Sequence, residues 1–128
     1  MNVLDENILL SQRTLLQSWR VHVRQIGVEV GRSGMKDAND IIPWLHKHRR
    51  PTFFTGDHDF YHPKLRHAGD CLVYLDVFPE EMAEYIRRFL RHPAFRTQAQ
   101  RMGKVVRIRH SGLTYWQLNG RHQHIVSW

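Results

Sequence analysis

Four acidic residues fall at three separated points of the chain, each beside a strand-like or helix-like boundary. They are Asp5 in Leu4-Asp5-Glu6-Asn7, Asp40 in Asn39-Asp40-Ile41-Ile42, and Asp57 with Asp59 in Thr55-Gly56-Asp57-His58-Asp59-Phe60. In an open parallel sheet, ligands bind outside the carboxyl ends of the strands. Carboxylates collected there form a set of hard oxygen donors suited to Mg2+ or Mn2+. Such an ion polarises a phosphoryl oxygen and lowers the pKa of a bound water. The expectation is a metal-dependent phosphodiester hydrolase. Each acid also has a local reading. Asp40 fits an N-cap with Pro43 in the first turn, and Asp57 and Asp59 fit turn formers after a strand. Asp5, following a first central strand, has little such reason to be there, and Glu6 reads as a solvated or helix-start charge.

The charge distribution agrees with a polyanionic substrate. The formal net charge is +7. Residues 1–84 carry 10 Lys/Arg and all 12 Asp/Glu, whereas residues 85–128 carry 9 Lys/Arg and no acid. An acidic cup beside a basic segment lets the cations hold phosphates while the acids hold a metal. A basic surface serves solubility or an acidic protein partner equally well.

A length of 128 residues suits one domain, 1–128, with a core that needs no staples. The single cysteine, Cys71, excludes an internal disulfide and lies in an apolar run, as a buried small hydrophobe does. No apolar stretch approaches membrane-spanning length and no signal-peptide pattern opens the chain, so a cytoplasmic protein without a membrane partner is expected.

Strands and helices are predicted to alternate. Asn2 to Leu4 reads as a first strand, Ile8 to Trp19 as a helix, and the alternating Trp19-Arg20-Val21-His22-Val23 as a strand. A second helix is expected from about Asp40 to His48, a third strand from Pro51 to Thr55, and a buried strand at Cys71-Leu72-Val73-Tyr74-Leu75. After Pro79, Met82, Tyr85, Ile86, Phe89 and Leu90 recur at helical spacing, with acids first and Arg87, Arg88 and Arg91 late, matching the helix dipole. A shorter helix should follow toward Met102. Val105 to His110 and Leu113 to Leu118 flank Ser111-Gly112, a hairpin signal. The predicted class is α/β: a mostly parallel, Rossmann-like sheet flanked by helices, with a C-terminal β-hairpin.

These pieces, in this order over roughly residues 1–110, resemble the compact PIN-like domains, especially the short prokaryotic group related to toxin–antitoxin ribonucleases. The resemblance implies a PIN-like fold and hydrolysis of RNA with Mg2+ or Mn2+. Asp5, Asp40 and Asp57 match the metal-holding acids, with Asp59 a fourth. It also implies that Thr55 supports the cluster, that Asn7 either does so or caps the following helix, and that an antitoxin protein is a partner. Arg87, Arg88, Arg91 and His58 are the expected RNA-binding residues. Pro43 and the tail from Arg121 onward depart from the family pattern. A PIN-like scaffold without catalysis is the alternative. A receiver-type phosphorylation module would also place acids after the first and third strands, but it needs a lysine at the end of its last central strand, where Lys104 instead precedes that strand.

The ten histidines form no zinc motif in the sequence. His46 and His48 point to different sides of a helix, and His122 and His124 lie in a polar tail without a cysteine. Trp19 and Trp44 suit core positions. Trp116 and Trp128 suit packing, a homodimer interface or base stacking.

Overall fold

Val3-Leu4 and Phe53-Phe54 are adjacent apolar pairs, and a strand sends neighbouring side chains to opposite faces, so both faces of such a sheet must be covered. The computed structural model describes residues 1–35 and 37–128 and satisfies this demand with two cores. On one face Leu4, Phe54, Val73, Leu75, Val106 and Ile108 pack with Leu16, Ile86 and Phe89. On the other, Val3, Phe53, Leu72 and Val105 pack with Ile41, Leu45 and Phe60. Each fully buried Leu, Ile or Phe contributes about 1.5–3 kcal/mol of hydrophobic transfer.

The elements in chain order are β1 (Asn2–Leu4), α1 (Leu10–Ser18), β2 (Arg24–Gln25), α2 (Asp37–His46), β3 (Thr52–Thr55), β4 (Cys71–Leu75), α3 (Met82–Arg91), α4 (Gln98–Arg101), β5 (Lys104–Arg109), β6 (Gly112–Gln117) and β7 (Gln123–Val126). Short 3-10 turns at His58–Phe60, Pro63–Leu65 and Pro79–Glu81 complete the connections. One seven-stranded sheet has the order β2-β1-β3-β4-β5-β6-β7. β2, β1, β3, β4 and β5 pair in parallel, and β6 and β7 add antiparallel strands. The chain is thus a single α/β domain with a largely parallel mixed sheet flanked by helices. α1 and α3 cover one face, through Leu16 and through Ile86 with Phe89, and α2 covers the other. From β1 the chain moves outward to β2 and then crosses to β3 on the opposite side. The strand order therefore reverses between β1 and β3, which is where open α/β sheets bind ligands.

Several boundaries differ from the sequence reading. Trp19 to Val23 is not a strand: Trp19 closes α1, and Arg20 takes a left-handed φ of 61°. The Val21 N–H donates back to the Leu16 carbonyl at 3.0 Å. Val21 and Val23 still pack against the core, so their alternation reports burial without a hydrogen-bonded ladder. α2 begins at Asp37, which puts Asp40 inside the helix instead of at its N-cap and leaves His48 beyond its end. Pro43 lies within α2, where it has no N–H to give the preceding turn. The buried Ile41 and Leu45 hold the helix there nonetheless. α1 starts at Leu10 behind Leu9, with no side-chain cap, so Asn7 does not cap it.

The predicted hairpin turns one residue earlier, with Arg109 opposite Gly112 and His110-Ser111 as the loop. Gly112 has φ 151°, and a Cβ there would lie 2.7 Å from the Val126 carbonyl oxygen. That close approach belongs to β7, a strand the sequence reading did not predict in the tail from Arg121 onward, with Leu113 opposite Val126. β7 is a mostly exposed edge strand, so its apolar signal is weak. No helix among the described residues is long and apolar enough to cross a membrane.

Candidate metal centre at the carboxyl edge

Asp5 extends the end of β1, its N–H donating to the Phe54 carbonyl at 2.9 Å. The preceding Leu4 is locked in the core, so the Asp5 side chain is held at the reversal point with only 7% of its surface exposed. Thr55, the last residue of β3 on the neighbouring strand, donates its hydroxyl to Asp5 Oδ2 at 2.7 Å. The same hydroxyl accepts the Asp57 N–H at 3.0 Å. One side chain therefore orients the Asp5 carboxylate and the backbone at Asp57. Burial pushes the Asp5 carboxyl above its ordinary pKa. The Thr55 bond and the Glu6 N–H pull it back, while the charge of Asp57 pushes it further up.

The segment after Asp5 is fixed by a buried amide. Gln25 Nε2 on β2 faces the carbonyls of Asp5, Glu6 and Ile8 at 3.1, 3.3 and 2.9 Å. Glu6 is not merely solvated: both its carboxylate oxygens lie 3.2 Å from the Gly34 N–H. Gly27 sits against Glu6, where a Cβ would come within 2.2 Å of Oε2. Asn7 is exposed.

Asp57 caps the His58–Phe60 turn, its Oδ1 accepting the Asp59 N–H at 2.9 Å. Asp57, His58 and Asp59 each bring a ligand atom within 4.8 Å of the others, and His58 Nε2 lies 3.1 Å from Asp59 Oδ1. Asp40 is exposed on α2, the helix that packs against this same turn. Among the described residues, neither Asp5 nor Asp40 belongs to a three-residue group with ligand atoms that close. Along this edge Asp5 is buried, Asp57 half-buried and Asp59 exposed.

A further acid at the same edge escaped the sequence reading. Asp76 directly follows β4, and its Oδ2 accepts from Arg107 Nη2 at 2.6 Å, with Arg109 Nε at 3.8 Å. Hydrogen bonding from Arg107 holds its carboxyl below the ordinary range. The signal was present, since an acid ends the Cys71–Leu75 run just as Asp5 ends β1.

The expected RNA-binding arginines are partly engaged. Arg87 Nη2 pairs with Glu84 at 2.7 Å and its guanidinium lies 3.6 Å from the centre of the Trp19 ring, while Arg88 Nε pairs with Glu84 at 3.2 Å. Arg91 is exposed at the end of α3. Because α3 links two parallel strands, it must run back from the carboxyl edge toward the amino edge. The arginines occupy its later turns.

A second group escaped the sequence reading entirely. His46 at the end of α2, His67 and Asp70 each place a ligand atom within 4.8 Å of the others. They lie at the amino edge, since Asp70 immediately precedes β4. No sequence spacing links His46 to the other two, although an acid abutting a fully buried strand was a readable anomaly. An open groove of about 830 Å³ also lies toward that edge, lined by Met1, Asn2, Gln17 and residues 20–24, well away from Asp57.

Two acidic and histidine clusters in this domain thus have a geometry compatible with a divalent ion. No family model, no curated protein and no solved structure matches the chain.

Proposed function

We propose that this domain is a PIN-like nuclease that hydrolyses RNA with Mg2+ or Mn2+ at the carboxyl edge of the sheet. The observation that carries the reading is the buried carboxylate of Asp5 at the strand-order reversal, bonded to Thr55 and sensing the charge of Asp57. Asp5, Asp57 and Asp59 offer the carboxylate oxygens that a hard dication prefers, with the His58 imidazole beside them. Asp5 and Asp57 would hold the ion, with Asp59 and Asp40 completing the cup from the rim and from α2. Bound there, the ion would polarise a phosphoryl oxygen and lower the pKa of a coordinated water.

The chain's own residues would do the rest. Thr55 keeps one Asp5 oxygen fixed, leaving the other side of the carboxylate to face the cup. Because burial raises the proton affinity of Asp5, metal loading at a pH below that raised pKa would release a proton. His58, exposed beside Asp57, and Arg109, at the same edge, would meet phosphate oxygens, and Arg87, Arg88 and Arg91 would extend the basic path along α3. Regulation by an antitoxin that covers the open rim fits the same geometry. The receiver-type alternative is disfavoured because β5 carries Lys104 at its amino end and Arg109 at its carboxyl end.

RNA cleavage assays with Mn2+ test the reading. The wild-type chain should cut and Asp5→Asn should not, while Asp5→Asn keeps RNA binding or strengthens it. RNA binding without cleavage by the wild-type chain would identify a non-catalytic scaffold instead.

A further inference from the structure

Asp70 is the most isolated polar group among the described residues. It is 1% exposed, and neither carboxylate oxygen has a hydrogen-bond partner. Its backbone is fully engaged, the N–H reaching the His67 carbonyl at 3.3 Å and the carbonyl accepting from Gly103 at 2.9 Å. A buried carboxylate normally lies against donors, because desolvating it otherwise costs several kcal/mol. Here the nearest polar groups are two imidazoles, with His46 Nε2 at 3.5 Å and His67 Nδ1 at 4.0 Å from Asp70 Oδ2. The two rings stack with centroids 3.8 Å apart, both open to solvent on their outer sides.

We propose that His46, His67 and Asp70 bind a zinc-class dication, such as Zn2+, Co2+ or Ni2+, at the amino edge of the sheet. This site is separate from the carboxylate cup and does not depend on the nuclease reading. Two imidazole nitrogens and one carboxylate oxygen select such ions over Mg2+ or Ca2+. At metal–ligand bonds of about 2.0–2.2 Å, a tetrahedral site needs ligand atoms about 3.4 Å apart. The observed 3.5 and 4.0 Å are near that spacing, and the two imidazoles would have to turn out of their stacked arrangement to aim both ring nitrogens at one ion. The half-exposed rings give the ion a way in, and three protein ligands leave a position for water or an outside ligand. Loading would cost His67 Nδ1 the hydrogen bond it accepts from the Gly69 N–H.

An imidazolium–carboxylate pair is the competing way to settle Asp70. Burial and the neighbouring His67 both lower the proton affinity of His46, which works against that charge. Burial alone pushes the Asp70 carboxyl up to about 7, as expected when no cation is near. A bound ion would give the buried, unpartnered Asp70 carboxylate a partner and clip the end of α2 to the loop before β4.

The test is Co2+ titration of the chelator-stripped full chain, followed by visible d–d absorption. The wild type and Asp57→Asn should each bind a single tightly held equivalent, displaced by Zn2+ but not by excess Mg2+. His67→Gln, at a half-exposed position that leaves the core intact, and Asp70→Asn should each weaken binding by more than about tenfold. Zn2+ should raise the melting temperature of the wild type and not of His67→Gln. Absence of a Co2+ spectrum in the wild type would overturn the proposal. So would a spectrum unchanged in both His67→Gln and Asp70→Asn, or one lost in Asp57→Asn, which would place the ion on the Asp57-His58-Asp59 turn.

Discussion

Thr55→Val removes one hydroxyl and almost no volume, yet that hydroxyl serves two residues of the cup. It donates to Asp5 Oδ2 at 2.7 Å and accepts the Asp57 N–H at 3.0 Å. A hydrogen bond to a charged group is worth about 1.5–3 kcal/mol, and losing the acceptor for a part-buried N–H adds about 1 kcal/mol. With Asp5 ionised, at about pH 8, the variant should therefore lose about 2–4 kcal/mol. The Thr55 bond lowers the Asp5 pKa, so without it burial and Asp57 raise that pKa further. A folded-state pKa above the unfolded value gives stability that is complete below the unfolded pKa of about 3.8 and lost as pH rises through the folded one. Hence the penalty should shrink to about 1 kcal/mol at about pH 3, where Asp5 is neutral in both states. Urea denaturation of wild type, Thr55→Val and Thr55→Ser at the two pH values measures this, the serine keeping most of the stability. A valine penalty below about 0.5 kcal/mol at pH 8, or one equal at both pH values, would refute the reasoning.

The same linkage makes Asp5→Asn more stable than wild type at neutral pH in chelator and equal to it in strong acid. Melting curves across pH test this, and added Mn2+ should raise the melting temperature of the wild type alone. Replacing Arg109 and His58 by Gln should flatten the salt dependence of RNA affinity by about 0.7 for each phosphate no longer neutralised, measured by fluorescence anisotropy. The Arg87, Arg88 and Arg91 triple Gln variant should flatten it less per residue removed, because Glu84 pairs with both Arg87 and Arg88 and offsets one of their two charges. Gly112→Ala should cost about 1–3 kcal/mol, because a Cβ would press on the Val126 carbonyl at a φ of 151°. Hydrogen exchange should then show β7 losing protection first.

Strong periodicity made much of the fold legible. β4 spans the residues of its apolar run, and α3 follows the Met82 to Leu90 spacing behind Pro79. Positions governed by partners distant in sequence were not. Val21 and Val23 alternate because they pack, not because they pair. β7 exists because β6 offers it an edge, and its own residues carry little hydrophobic signal. At the edge of the sheet, Asp5 and Asp57 could be read as candidates because each lies just beyond the end of a strand, whereas Thr55 entered only through the family resemblance. Asp40 could not be placed, since the position of α2 depends on the packing of Ile41 and Leu45 over the β3 face, which no local pattern encodes. The His46, His67 and Asp70 group joins three elements whose proximity no local pattern encodes.

The central claim is that Asp5 and Asp57 hold one hard dication at the point where the strand order reverses. Anomalous diffraction from a crystal soaked in Mn2+ tests it most directly. A Mn2+ peak bonded to oxygens of both Asp5 and Asp57, at about 2.0–2.3 Å, is expected. A well-ordered crystal with no peak at Asp5, or with Mn2+ only on the exposed Asp57-His58-Asp59 turn, would contradict it.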